Sequence, residues 1–132
     1  MIDIFNEVYT SLVEQLTAYD ENIKTASVYT NMPSEFPFVS MEEIGNSENW
    51  RGMDCPAKEN FADIDFEINI YTQNPLKKTK ADNILQVVDT FFKQLGFIRM
   101  SKNNIQDNSE TTYRIIIRYS GVVSKDHIVY RR

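Results

Sequence analysis

Three acidic residues occupy alternate positions in the stretch FADIDFEINIYTQ, residues 61–73. Asp63, Asp65 and Glu67 alternate with apolar residues, which is the pattern of a β-strand with one buried and one solvent-facing side. Because Mg²⁺ binds carboxylate oxygens, a metal-dependent nuclease is one interpretation of this row. Alternate residues of a strand lie about 7 Å apart, so the outer two acids cannot share one ion without further ligands. The stretch also lacks the lysine two residues beyond an acid that a restriction-type nuclease would have.

Charge pairing between strands is a second interpretation of the acidic row. Arg114 and Arg118 lie on another alternating stretch, ETTYRIIIRYSGVV, residues 110–123. If the two stretches are neighbouring strands, the arginines and the acids would face each other on the solvent side. Each such pair contributes about 0.2–1 kcal/mol to stability. This interpretation requires no function for the row.

Other residues arranged for chemistry are few. The sequence has no GxxxxGK[ST], GxGxxG or GxSxG motif. The single histidine, His127, stands beside Asp126, as an ordinary surface histidine would. The single cysteine, Cys55, has no CxxC partner, which argues against a zinc site. We therefore predict a protein that is not an enzyme and that holds neither a cofactor nor a metal.

The composition is that of one folded domain spanning residues 1–132, with 42% hydrophobic residues. No apolar run approaches the roughly 18 residues of a membrane helix, and the start, MIDIFNEVYT, lacks the basic region of a signal peptide. The lone cysteine is typical of a reducing compartment. We expect a soluble protein made inside the cell, with no membrane partner.

Charge is divided unevenly along the chain, although the net charge is only −5. Residues 1–67 hold 14 acidic and 3 basic side chains, whereas residues 68–132 hold 5 acidic and 11 basic ones. The negative total argues against a general nucleic-acid-binding protein. The two halves can pair within one molecule, or they can present complementary surfaces to other copies of the chain.

Apolar spacing predicts an α+β domain with a mostly antiparallel β-sheet covered by two amphipathic helices. The first two strands are expected to form a hairpin-like pair. Thr79 and Asp82 resemble a capping box, Gly96 is a typical helix stop, and Gly121 suggests a bend or bulge. The predicted elements are, in chain order, a helix over 2–23, strands over 28–29, 38–44 and 61–73, a helix over 79–95, strands over 97–101 and 110–123 separated by a loop at 102–108, and a short strand or tail at 127–132.

The segment NSENWRGMDCPAKEN, residues 46–60, has no clear period and is predicted to be a long loop. Trp50, Arg51 and Met53 lie inside it. In one interpretation Trp50 and Met53 pack back onto the domain. In the other, these residues contact a partner, because Trp, Met and Arg are enriched at protein interfaces.

The order of these features resembles the tail terminator, or tail completion, proteins of long-tailed bacteriophages and phage-derived particles. The resemblance covers most of the chain, and it is an arrangement of features rather than a catalytic fingerprint. Small head–tail connector proteins look similar at this level. The resemblance to tail terminator proteins rests on the N-terminal helix and on the segments FPFVSMEEIGN, DIDFEINIYTQNP, VVDTFFKQLGFIRM and TYRIIIRYSGVV.

This resemblance implies a structural protein that forms a ring, usually a hexamer, on the end of the growing tail tube. The ring stops tube growth and provides the surface to which the head attaches. The implied partners are other copies of the chain, the tail tube protein and the head–tail connector or neck proteins, while DNA passes through without specific binding. The implied location is the tail or neck of the virion, after assembly in the cytoplasm of the bacterial host.

Within such a ring the acidic row would have a role. Asp63, Asp65 and Glu67 would line the lumen and repel the phosphates of passing DNA. The loop residues Trp50, Arg51 and Met53 and the strand residues Arg114 and Arg118 are then expected to contact neighbouring subunits or partners. A head–tail connector, another minor neck protein or an unrelated interaction domain remain alternatives, as does the nuclease.

Overall fold

A computed structural model of the protein describes residues 1–28, 35–48, 61–74, 76–106 and 112–130. The fold is α+β, as the sequence predicted. In the described part of the chain, neither helix has both the length and the apolar character needed to cross a membrane. The elements are α1 (Phe5–Tyr19), β1 (Lys24–Ala26), β2 (Phe38–Glu48), β3 (Phe61–Gln73), α2 (Lys77–Leu95), β4 (Ile98–Gln106), β5 (Thr112–Ser124) and β6 (Val129–Tyr130).

The described strands form one sheet in the order β1-β2-β3-β5-β4, with β6 also pairing with β5. Every pair is antiparallel except β1 with β2. The predicted hairpin between the first two strands is therefore wrong, because β1 runs parallel to β2. The first strand also begins earlier than predicted, at Lys24, and Val28 lies beyond its end. Parallel neighbours need a connection that crosses back, and here residues 29–34 of that connection lie outside the described part.

Both helices pack on one face of the sheet. On this face β3 presents five fully buried apolar side chains, and its pairing with β5 places Phe66 opposite Tyr119. The ring of Phe92, from α2, stacks on that of Tyr119 with 4.4 Å between centroids and also contacts Phe66 at 6.2 Å. The alternating apolar half of the β3 sequence is thus the centre of the core. Its buried residues are Ala62, Ile64, Phe66, Ile68 and Ile70.

Helix α2 ends as predicted but begins differently. Gly96 has a left-handed φ of 99°, and its N–H donates to the carbonyls of Phe92 and Lys93, each at 3.1 Å. A glycine is favoured in this conformation because it has no Cβ. The predicted capping box is wrong, since the helix begins at Lys77 after Leu76 and has no side-chain cap. Thr79 lies within the first turn instead.

Two further expectations about the last third of the chain need correction. The predicted loop at 102–108 is largely strand, because β4 continues to Gln106. Gly121 marks neither a bend nor a bulge in the pairing with β3, where it lies opposite Ile64 in regular register. Its role is steric, since a Cβ on Gly121 would lie 2.6 Å from Cδ1 of Phe97.

A buried carboxylate ties α2 to the sheet. Asp89 accepts a hydrogen bond from the Tyr119 hydroxyl at 3.0 Å and pairs with Lys93 at 2.9 Å and Arg99 at 3.4 Å. Burial acts to raise the pKa of Asp89, but the hydrogen bonds from Lys93 and Tyr119 and the charge of Arg99 outweigh it. The pKa of Asp89 is therefore lowered. Burial and the bond to Asp89 raise the pKa of Tyr119, so the phenol stays protonated as the donor.

We expect the Asp89→Asn variant to be less stable at neutral pH, by about 1–3 kcal/mol, because a hydrogen-bonded buried charge is lost. A lowered folded-state pKa gives stability that is present above the unfolded pKa and is lost as the pH falls through the folded pKa. The variant should therefore lose less stability than the wild type as the pH drops below 3.8, the ordinary value for aspartate. Urea unfolding at a series of acidic pH values measures both effects.

The matched control is Asp126→Asn, which makes the same change on an exposed turn. This variant should follow the wild-type pH profile. Parallel profiles for Asp89→Asn and the wild type would contradict the role given to Asp89.

Candidate functional site

The face of the sheet opposite the helices is called here the open face. Its members follow from the cross-strand register, because residues paired across strands point to the same side. Both described helices lie on the other face. The residues of the open face on the three central strands are Phe38, Ser40, Glu42, Gly45 and Ser47 of β2, Phe61, Asp63, Asp65, Glu67, Asn69, Tyr71 and Gln73 of β3, and Thr112, Arg114, Ile116, Arg118, Ser120, Val122 and Ser124 of β5.

One acid of the row pairs with an arginine. The register places Glu67 directly opposite Arg118, and the Arg118 Nε lies 3.2 Å from the Glu67 Oε2. The Glu67 side chain is only 12% exposed, whereas that of Arg118 is 55% exposed. Exposure of the guanidinium weakens the pair, so its contribution is at most about 1 kcal/mol. Glu67 also lies opposite Glu42 of β2, and Arg118 offsets this repulsion between like charges.

Asn69 connects the two arginines of the open face. This residue is fully buried, and its Oδ1 accepts hydrogen bonds from Nε and Nη2 of Arg114 at 3.1 and 2.8 Å. Its Nδ2 donates to Oε1 of Glu67 at 3.4 Å. Arg114, Asn69, Glu67 and Arg118 therefore form one continuous network, which we call the polar network. Linked polar groups of this kind fix one another's orientation.

Aromatic contacts extend the polar network at one end. The Arg114 guanidinium lies over the ring of Tyr71, 5.3 Å from its centroid, in a cation–π arrangement. Tyr71 is 1% exposed, and its ring meets that of Phe38 edge-on at 6.0 Å. Ser40 is equally buried, and its Oγ has no hydrogen-bond partner among the described residues. This end of the open face is therefore buried and closely packed.

The other two acids of the row lie opposite neither Arg114 nor Arg118 in the strand register. Asp65 is opposite Gly45 on one side and Ser120 on the other, while Asp63 is opposite Ser47 and Val122. Both aspartates are half-buried. The charge-pairing interpretation thus describes Glu67, whereas the cross-strand neighbours of Asp65 are neutral. Four carboxylates and two guanidinium groups make the central part of the open face acidic.

The metal interpretation of the row gains no geometric support. Within the described ranges no three His, Cys, Asp or Glu side chains are grouped closely enough to hold a metal ion. Glu67, the residue that would complete the acidic group, is held by Arg118 and Asn69 instead. What the row can offer is negative charge on a surface.

Several residues singled out from the sequence lie elsewhere. Trp50, Arg51, Met53 and Cys55 are outside the described residues. His127 contacts Glu7 of α1, with 2.6 Å between Nδ1 and Oε1, and not the adjacent Asp126. This contact is exposed and involves α1, which packs on the other face of the sheet.

Asn69 and Tyr71 were not anticipated as part of the site. Their positions continue the alternation of the acidic row, so their placement on the open face could have been read from the sequence. Their burial could not, because it depends on Arg114 and Phe38 in two other strands.

Comparison with known proteins assigns no family: no protein-family model matches the chain, and no significant match occurs among curated proteins. The open face, the sheet edges and the order of elements are therefore the features from which a function is proposed.

We expect Asn69→Ala to lower the free energy of unfolding by about 1–3 kcal/mol, because Arg114 loses its acceptor and Glu67 loses a donor in a buried setting. Urea unfolding followed by circular dichroism measures the change. The control is Asn103→Ala. This variant removes an exposed amide that lies on β4 but on the same face of the sheet as Asn69, and it should change stability by less than about 0.5 kcal/mol. Equal stability of Asn69→Ala and wild type would contradict the polar network.

Proposed function

We propose that this protein is a structural assembly protein that forms a ring on the end of a phage or phage-like tail tube. The ring stops tube growth and presents a surface to the head or neck. The chain acts without catalysis, through contacts with its own copies, with the tube protein and with neck proteins.

The observation that carries this proposal is the open face. In the described part of the chain both helices cover one face of the sheet, and the other face carries the polar network, with Arg118 exposed and Asp63, Asp65 and Arg114 half-buried. The polar network orders that surface before any partner arrives, which reduces the entropy lost on binding. A surface ordered in advance suits a subunit that must fit repeatedly into one assembly.

The order of elements supports the same proposal. The tail terminator resemblance rests on an early strand, a long central strand, a helix that follows it and a late strand, in that order along the chain. The structure has β3 between β2 and β5, and α2 directly follows β3. This agreement concerns fold and order, and the ring itself is part of the proposal.

A head–tail connector is the alternative that uses the same features. A connector would bind the portal side of the neck and would not need to bind tube protein. A tail terminator must bind the open end of a tube and stop its growth. Tube binding therefore separates the two functions.

We expect the purified protein to give a discrete oligomer of about six copies by light scattering, with a mass that stops rising once the ring has closed. Added to growing tail tubes, it should shorten them and appear at their ends in negative-stain electron microscopy. A mass that keeps rising with concentration would indicate open filaments and contradict ring closure. Tubes of unchanged length would contradict the terminator function even if the ring forms.

In this proposed ring the acidic part of the open face lines the lumen. Phosphates of passing DNA would be repelled by Asp63 and Asp65, which lie opposite neither Arg114 nor Arg118 in the strand register. Glu67 contributes less, because its charge is offset by Arg118.

We expect rings of the double variant Asp63→Lys and Asp65→Lys to bind labelled duplex DNA about tenfold more tightly than wild-type rings at low salt, with the gain lost at high salt. Fluorescence anisotropy measures the affinity. The control, Glu14→Lys with Glu21→Lys, makes the same charge change at exposed positions on and after α1. Equal DNA binding by the two double variants would contradict a lumen position for the acidic row.

A further inference from the structure

Two edges of the sheet are opposite in charge and unpaired in the described part of the chain. One is β4, which pairs with β5 on one side only. The other is residues 41–48 of β2, called here the β2 free edge, because β1 pairs only with Phe38, Val39 and Ser40. We propose that β4 of one copy binds the β2 free edge of the next copy. This inference rests on the proposed function, since it names the surfaces through which the ring closes.

Strand direction permits this contact without reversing the subunit. From β2 through β3 and β5 to β4, each strand is antiparallel to its neighbour. Four alternating strands leave β4 antiparallel to β2. A second copy placed beside the first in the same orientation therefore meets it with antiparallel edges and with its helices on the same side. Such a head-to-tail contact uses two different patches and generates a ring when the rotation closes.

Charge complementarity is what identifies a second copy as the partner. The β2 free edge carries Glu42, Glu43 and Glu48 and no basic residue, whereas β4 carries Arg99 and Lys102 and no acidic residue. The strand register also places an acid of the β2 free edge and a base of β4 on the same side of the sheet, which supports the proposed contact. Glu43 lies opposite Phe66, and Lys102 lies opposite Ile117, so both are on the helix-covered side of the sheet.

Glu43 is an exposed carboxylate of the β2 free edge, and its Oε1 accepts a hydrogen bond from Asn46 at 3.3 Å. Its pKa is raised, first by burial and then by the nearby charge of Asp3, although a hydrogen bond from Asn46 acts in the opposite direction. A lysine from a neighbouring copy would relieve this cost. Lys102 is exposed, and no described acid forms an ion pair with it.

Each edge also exposes an apolar side chain at an irregularity. Ile44 lies at the register shift of β2 and is 44% exposed, and Met100 lies at that of β4 and is 66% exposed. Bulges interrupt backbone pairing along an edge. We therefore assign the contact to side chains, with apolar residues at the bulges and opposite charges beside them, and not to one continuous hydrogen-bonded ladder.

Charge reversal at each edge tests the inference. Glu43→Lys gives a chain with lysine at both positions 43 and 102, and Lys102→Glu gives one with glutamate at both positions, so that like charges meet there between copies. Each variant alone should need about tenfold more protein, or more, to reach the wild-type mass by light scattering, because like charges meet at the interface. An equimolar mixture should regain that mass, since alternating copies again place opposite charges together.

Two controls and one independent measurement complete the test. Glu14→Lys and Lys125→Glu make the same charge changes at exposed positions outside both edges, and should assemble as the wild type does. Carbodiimide treatment of the wild type, followed by mass spectrometry, should join Lys102 of one copy to Glu43 or Glu48 of another. Within one copy these residues are separated by β3 and β5, or about 14 Å of sheet, too far for a zero-length link.

The outcomes separate the inference from the proposed function. Folded single variants that assemble like the wild type, or a mixture that fails to recover, would overturn the edge contact while leaving ring and function intact. A wild-type chain that stays monomeric at every concentration would also overturn it. The tube-capping assay decides the proposed function by itself, whichever surfaces join the copies.

Discussion

The register between β3 and β5 is the constraint on which the other interactions of this protein depend. These are the two longest strands, and they pair along their whole length. Side chains alternate between the faces, so a slip of one residue would exchange core and surface on the strand that slipped. The same alignment that sets Phe66 against Tyr119 in the core sets Glu67 against Arg118 on the open face. Core and surface are therefore specified together.

The local pattern of residue types was enough to predict strand β3 and the end of helix α2. The strict alternation of β3 predicted Phe61–Gln73 with its observed bounds, and Gly96 predicted the end of α2. The α+β class followed from the order of helical and alternating segments. In each of these cases the residue types agree with burial on one face, so local and global preferences point to the same structure.

Features that depend on distant residues could not be predicted in the same way. The parallel position of β1 and the length of β4 are decided by pairing with other strands, since neither sequence is strongly apolar. The row of three acids was visible, but only the fold separates Glu67 from the two aspartates. Asn69 and Asp89 read as ordinary polar residues, and their importance comes from partners 45 and 30 residues away in sequence.

The contact between Gly121 and Phe97 has a consequence for how such a sequence can evolve. No side chain fits at position 121 while the phenylalanine ring occupies its place beneath β5. A lineage that acquired alanine there would first, or simultaneously, need a smaller residue at position 97. The two positions are thus epistatic. Position 121 can gain a side chain only after position 97 has become smaller, whereas position 97 can become smaller while Gly121 stays.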